Sequence, residues 1–298
     1  MVGVFGRSLS FPNKNPAHRP KPPMTHHTRS VSLPARSHPL LSNLRDQLSD
    51  LDAWSSSPPP RSSSARLADG LSRLRDALDS LDDALHLPQA QNLLRGRPQL
   101  AEKLLEDFLR FADAYGIFQS SVLAFKEAQM AVQVAIRKKD ESKIASYMKA
   151  RKRIHKEMRE LTSSIRCVAK CEILREPDHS PVPDAELAAA MSGVVKATAS
   201  VSLALFDAFA SSFVARRSSW SSRLRLSKKA KVDERIEELQ CTDERLWALR
   251  KMKDEEVREV LKKMEDLEGC IECIESGSER VFRSLISARV SLLNILTL

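Results

Sequence analysis

The sequence predicts an all-α protein: an elongated helical bundle with a C-terminal coiled-coil-like hairpin, fronted by a disordered N-terminal arm. Three observations carry this. The chain has only 8 glycines and 5% aromatic residues among 298, too few for the turns and aromatic or β-branched runs of a strand-rich fold. Its leucines recur at steps of three and four, the period of a helix face. Its first 39 residues, rich in Pro, Ser, Arg and His, bury too little apolar surface to offset chain entropy.

The bundle is expected from residue 40 to 298. Leu40, Leu41, Leu44, Leu48 and Leu51 form a first stripe that ends at Trp54. The prolines of SSSPPPRSSS (55–64) make a linker. A second stripe, Leu67, Leu71, Leu74, Leu78, Leu81 and Leu85, runs to Leu87-Pro88. Gly96 and Pro98 punctuate next, and Pro98 suits the first turn of a helix through Leu100, Leu104, Phe108 and Phe111. That pattern continues past Val122, Phe125 and Met130 to Ile136, with a break expected at Gly116.

Residues 137–175 read as a charged helix whose apolar positions, among them Ile144, Tyr147, Ile154, Met158 and Ile165, keep helical spacing. Its charges read as a solvated face. EPDHSPVP (176–183) is a second linker, with Asp184 as the expected cap of the next helix. That helix, 184–217, is the most apolar of the chain. Its uncharged run, 197–206, is well short of the ~20 residues that a membrane span needs, so it reads as the central buried helix. In the last segment, Val257, Val260, Met264, Leu267, Ile271, Ile274, Ser278, Val281, Leu285, Ala288 and Leu292 occupy a heptad seam. Asp243, Arg250 and Lys253 spoil the register upstream, and Ser276-Gly277-Ser278 is expected to turn the helix back onto the bundle. Intramolecular packing follows, with a homodimer left open.

Enzyme chemistry finds no support. Dinucleotide, phosphate-loop, zinc-protease and nucleophile-elbow motifs are missing. His18, His26, His27 and His38 fall in the arm, and His86, His155 and His179 are isolated. Cys167/Cys171 and Cys270/Cys273 could be drawn as a four-thiolate zinc site, but nothing in the sequence brings the pairs together. They read as small buried hydrophobes in a reducing compartment. The expectation is therefore a non-enzyme with neither cofactor nor metal.

The net charge of +9 is concentrated in two acid-free segments, 1–45 and 216–231. In the arm, Arg29 stands three residues before Ser32 and Pro34 two after it. Basophilic kinases read an arginine at that offset, and phosphorylation of Ser30 or Ser32 would add a charge that Arg-lined adaptors of the 14-3-3 type bind. The second segment holds Arg216, Arg217, Arg223, Arg225, Lys228, Lys229 and Lys231. It reads foremost as a basic connector suited to a helix C-terminus, with a surface for an anionic membrane, or more weakly nucleic acid, as one alternative and a nuclear import signal around Lys228, Lys229 and Lys231 as another. The start lacks a secretory pattern, which favours the cytoplasm. Its Ser/Arg content leaves chloroplast import open, against which its prolines argue.

Several segments in order resemble a plant-specific family of unknown biochemical function related to the BYPASS developmental proteins. They are HTRSVSLPARSHPL, LADGLSRLRDALDSLDDALHLPQAQNLL, LLEDFLRFADAYGIFQ, FKEAQMAVQVAIRKKD and the terminal LEGCIECIESGSERVFRSLISARVSLLNIL. The opening motif maps onto His27, Arg29, Ser30, Ser32, Pro34, His38 and Pro39. The resemblance implies an all-helical fold with no assigned enzyme activity and no catalytic residues to carry over. It also implies a regulatory or scaffold role, linked through relatives to root and shoot development.

Overall fold

A computed structural model describes residues 38–57, 63–170, 182–213 and 254–297, together with Ile236 and Leu239. Every element among them is an α-helix. In chain order these are α1 (Pro39–Ser56), α2 (Ser63–Leu85), α3 (Pro88–Gly96), α4 (Pro98–Lys138), α5 (Glu141–Lys170), α6 (Val182–Ser212) and α7 (Asp254–Thr297).

Five long helices pack as a ring: α2 on α7, α7 on α4, α4 on α5, α5 on α6, and α6 back on α2. Helix α1 lies against α2 and α6, and short α3 touches α2, α4, α6 and α7. The leucine stripes point into this ring, with Leu44, Leu74, Leu78, Phe108, Phe118, Leu205, Ile274 and Leu285 all fully buried. At ~25 cal/mol per Å² of apolar surface, cooperative burial on this scale is what holds helices together whose local propensities alone would not. Aromatic rings tie α4 to α6: Phe118 meets Phe209 edge-on at 5.1 Å and lies 5.4 Å from Phe206.

Local chemistry sets the ends. Pro39 begins α1, and the His38 ring nitrogen accepts a hydrogen bond from the Leu40 N–H at 3.3 Å. His38 is thus a helix cap, where the sequence placed it in the arm. Helix α4 ends at Lys139, whose φ of 54° is left-handed, and Asp140 then caps α5 by accepting from Ser142 and Lys143 N–H groups. The helix expected to start at 137 therefore starts at 141. At the far end of α6, the buried Arg151 donates to the Ser212 carbonyl at 3.4 Å, and the His155 ring lies 2.8 Å from the Ala210 carbonyl. Arg151 thus occupies a carbonyl of the kind a helix C-terminus leaves unpaired, while the Ala210 carbonyl also accepts the Phe213 N–H at 3.3 Å.

Several boundaries differ from expectation. Gly116 does not break α4, which runs through it. Ser276-Gly277-Ser278 does not turn the chain either, because α7 is continuous from Asp254 to Thr297. Gly277 is needed there for closeness: a Cβ would stand 3.1 Å from Leu71 Cδ1, so the missing side chain admits α2. Asp184 lies inside the first turn of α6, which begins at Val182, and is not its cap. The linker at 55–64 is shorter than expected, since α1 reaches Ser56 and α2 starts at Ser63, and Pro88–Gly96 forms a helix of its own. Cys167 and Cys273 are exposed and Cys270 is half-buried, so these thiols are not core residues. Residues 231–253, the start of the segment expected as a hairpin or coiled coil, lie outside the described residues apart from Ile236 and Leu239.

Candidate functional site

Between Asp113 and Arg137 the only charges on α4 are Lys126 and Glu127. One side of this stretch is core: Phe118, Val122, Phe125, Val132 and Ile136 are fully buried. The other side is apolar as well, yet no described helix covers it. Ile117 is 50% exposed, Leu123 54%, Met130 55% and Val134 42%. Large apolar side chains exposed along one side of a helix, here beside Ser120 and Glu127, mark a candidate interaction surface.

The uncovered face has a floor and two walls. An open groove of about 720 Å³ is floored by Ala112, Gly116, Ser120 and Ala124 of α4. Arg153 and Glu157 of α5 line one side and Phe282 of α7 the other. Gly116 leaves the floor bare, since a Cβ there would meet nothing within 4 Å. The α5 wall is anchored by Ser121, whose hydroxyl donates to Glu157 at 2.9 Å. Lys149, Arg153 and Lys156, spaced by four and three, lie exposed along that side with Lys152 and Arg159 beside them. Arg153 pairs with Glu157 and Lys156 with Glu160, each at 3.6 Å, so five cations and two acids leave this edge net positive.

The α7 wall has the opposite sign. Glu268, Glu272, Glu275 and Glu279 recur at steps of four, three and four, one line along the helix. Lys126 of α4 donates to Glu275 at 2.7 Å. That hydrogen bond, aided by the charges of Glu275, Glu272 and Glu268, holds the ammonium above the ordinary lysine range despite partial burial. The face is therefore an apolar strip between a cationic edge and an anionic edge, suited to holding another molecule.

The residues singled out from sequence are not among those the structure describes. Arg29, Ser30, Ser32 and Pro34 are outside the described residues, as are Arg216, Arg217, Arg223, Arg225, Lys228, Lys229 and Lys231. Among the described residues no cluster of three or more His, Cys, Asp or Glu could hold a metal ion. Sequence reasoning missed the α4 face because Met130 and its neighbours were read as core. The available signal was the heptad line Ser120, Leu123, Glu127, Met130 and Val134 on the side opposite Phe118 and Phe125.

A family model described as Protein BPS1 matches residues 70–295, a segment that holds the whole of α4, α5 and α6 and nearly all of α7. Neither a curated protein nor a solved structure matches the chain.

Proposed function

Since the chain belongs to the BPS1 family, the BYPASS-related plant family its motifs resemble, we propose that it is a non-enzymatic regulatory scaffold in plant root and shoot development. The observation that supports a scaffold is the uncovered apolar face of α4, with Leu123 and Met130 each more than half exposed. In this reading the bundle presents that face to a protein partner. The arm adds control: kinase action on Ser30 or Ser32, guided by Arg29 and Pro34, makes a docking peptide for a 14-3-3-type adaptor.

The test is purification from plant tissue of the wild type beside Leu123→Glu/Met130→Glu and beside Ser32→Ala, with phosphosite mapping. The reading expects the face variant to lose a set of partners and to fail in restoring root and shoot growth to plants lacking the protein. Ser32→Ala should lose a different set. A face variant that keeps every partner and restores growth overturns the scaffold role.

The second reading is a peripheral membrane protein, favoured by the exposed cations Lys149, Lys152, Lys156 and Arg159 along α5. Juxtaposed basic residues each contribute about 1 kcal/mol at an anionic surface. Helix α6 is long and apolar enough to cross a membrane, but its apolar residues pack on α1, α2 and α5 in the bundle. Sedimentation with phosphatidylserine vesicles separates the readings. Binding that collapses in high salt and in a Lys149→Glu/Lys156→Glu variant favours the membrane, and no binding removes it.

A further inference from the structure

We infer that the α4 face takes an amphipathic α-helix of a partner protein in a single direction, with the partner's acidic edge on α5 and its basic edge on α7. The inference rests on the scaffold reading and specifies the chemistry of what docks. The apolar strip from Ile117 to Val134 is about 26 Å long at 1.5 Å per residue, the length of a partner helix of roughly five turns. Ser120, Leu123, Glu127, Met130 and Val134 alternate steps of three and four, the spacing that receives the ridge of a second helix. The small residues Gly116, Ser120 and Ala124 on the floor let its backbone come close.

Direction follows from the walls. Turning a docked helix end for end in the groove carries each of its edges to the opposite wall. A helix with one acidic and one basic edge therefore matches both walls in one direction and opposes both in the other. The same charges disfavour a second copy of this chain. A two-fold axis along α4 would set Glu127 against its own counterpart, and an axis across α4 would set the cations of one α5 against those of the other. Like charges meet in either case, whereas a heterologous helix can place a cation over Glu127.

The experiment uses the full chain and two synthetic 21-residue helical peptides of identical composition. Each has a leucine ridge with one central lysine, and their Glu and Lys edges are exchanged between them. A photo-crosslinker sits at the N-terminus of each. Both peptides should bind, and mass spectrometry should find one crosslinked near Asp113–Ile117 and its twin near Val134–Lys138. Cancelling the walls with Lys149→Glu/Lys156→Glu/Glu272→Lys/Glu279→Lys, all at exposed positions, leaves the α7 line with two Glu and two Lys and should abolish the preference of each peptide for one end. Leu123→Glu should weaken binding more than tenfold with helicity unchanged. If neither peptide binds the wild type, if both crosslink to it at the same end, or if each crosslinks to it equally at both ends, the inference is wrong. The two failures are distinguishable. A Leu123→Glu protein that loses its tissue partners while peptides show no direction leaves the scaffold standing and removes only the polarity. One that keeps its partners removes the scaffold.

Discussion

Helix α6 and the middle of α4, residues 114–136, both carry few charges, yet the bundle treats them differently. Helix α6 packs on α1, α2 and α5, and also touches α3 and α4. Its buried list includes Leu187, Met191, Val194, Ala199, Leu205, Phe206 and Phe209, and the polar Thr198 and Ser202 hydroxyls are satisfied by carbonyls one turn back. Helix α4 has comparable neighbours on its inner side, but Leu123, Met130 and Val134 face outward. Apolar surface lowers free energy only when something removes it from water. In α6 the chain itself does so, and in α4 no described helix does so for the outer strip. Apolar composition alone thus separates neither core from interface nor either from membrane.

Truncation should expose the difference most sharply. Phe206→Ala removes a fully buried α6 ring that lies 5.4 Å from Phe118 and 5.9 Å from Tyr115. Large-to-small changes at such sites cost about 3–5 kcal/mol, so the urea midpoint should fall steeply. A loss below 1 kcal/mol would mean that α6 is not the enclosed helix described here.

Glycines sharpen the same contrast at a smaller scale. A Cβ at Gly70 would stand 2.3 Å from the Trp54 ring, where α1 closes on α2. The ring is stiff and is held under Arg66, whose guanidinium lies 4.3 Å from its centroid. Gly70→Ala should therefore destabilise by about 1–3 kcal/mol. Gly116→Ala on the α4 face has open space around the new methyl and removes a helix-interior glycine, so it should stabilise by about 0.5–1 kcal/mol. Thermal melts of the two variants read the opposite signs directly.

Where the two helices meet, the Tyr115 hydroxyl of α4 lies 3.3 Å from the Ser202 hydroxyl of α6, within hydrogen-bond reach. Burial pushes the phenol well above the ordinary range. The folded state then holds this proton more tightly than the unfolded chain does. Its contribution to stability is complete below pH ~10 and is lost as pH rises beyond that value. Tyr115→Phe should cost no more than about 1 kcal/mol near neutrality and should flatten the alkaline loss. Urea midpoints at neutral and strongly alkaline pH would show it, and an unchanged alkaline slope would place the titration elsewhere.

Periodicity made much of the fold legible. Every residue assigned to the C-terminal seam, from Val257 to Leu292, is buried in α7, because a strict three-four spacing leaves one face to bury. The breaks were less legible. Gly116 and Gly277 looked like interruptions, but helix formation is cooperative, and neighbours on both sides carry a single glycine at modest cost. The real break at Lys139 has no glycine; it is marked by Arg137 and Lys138 in the last turn and Asp140 at the next cap. The α4 face was hidden for a different reason. Leu123 and Phe125 are alike in hydropathy, and only the three-dimensional arrangement says which of them has a neighbour.

That difference sets the smallest effect and the sharpest discrimination. Leu123→Ser and Met130→Ser replace side chains that are already more than half exposed, so each should change stability by no more than about 0.5 kcal/mol. Measured beside Phe206→Ala, they isolate the outer strip: the unfolding midpoint stays in place while occupancy of the face declines. A fall in stability of 2 kcal/mol or more would show that some part of this chain covers Leu123 and Met130 after all. The contrast between α4 and α6 would then disappear, and the docking face with it. An unchanged midpoint would leave two outward-facing apolar side chains whose presence folding does not require, as the proposed docking face expects.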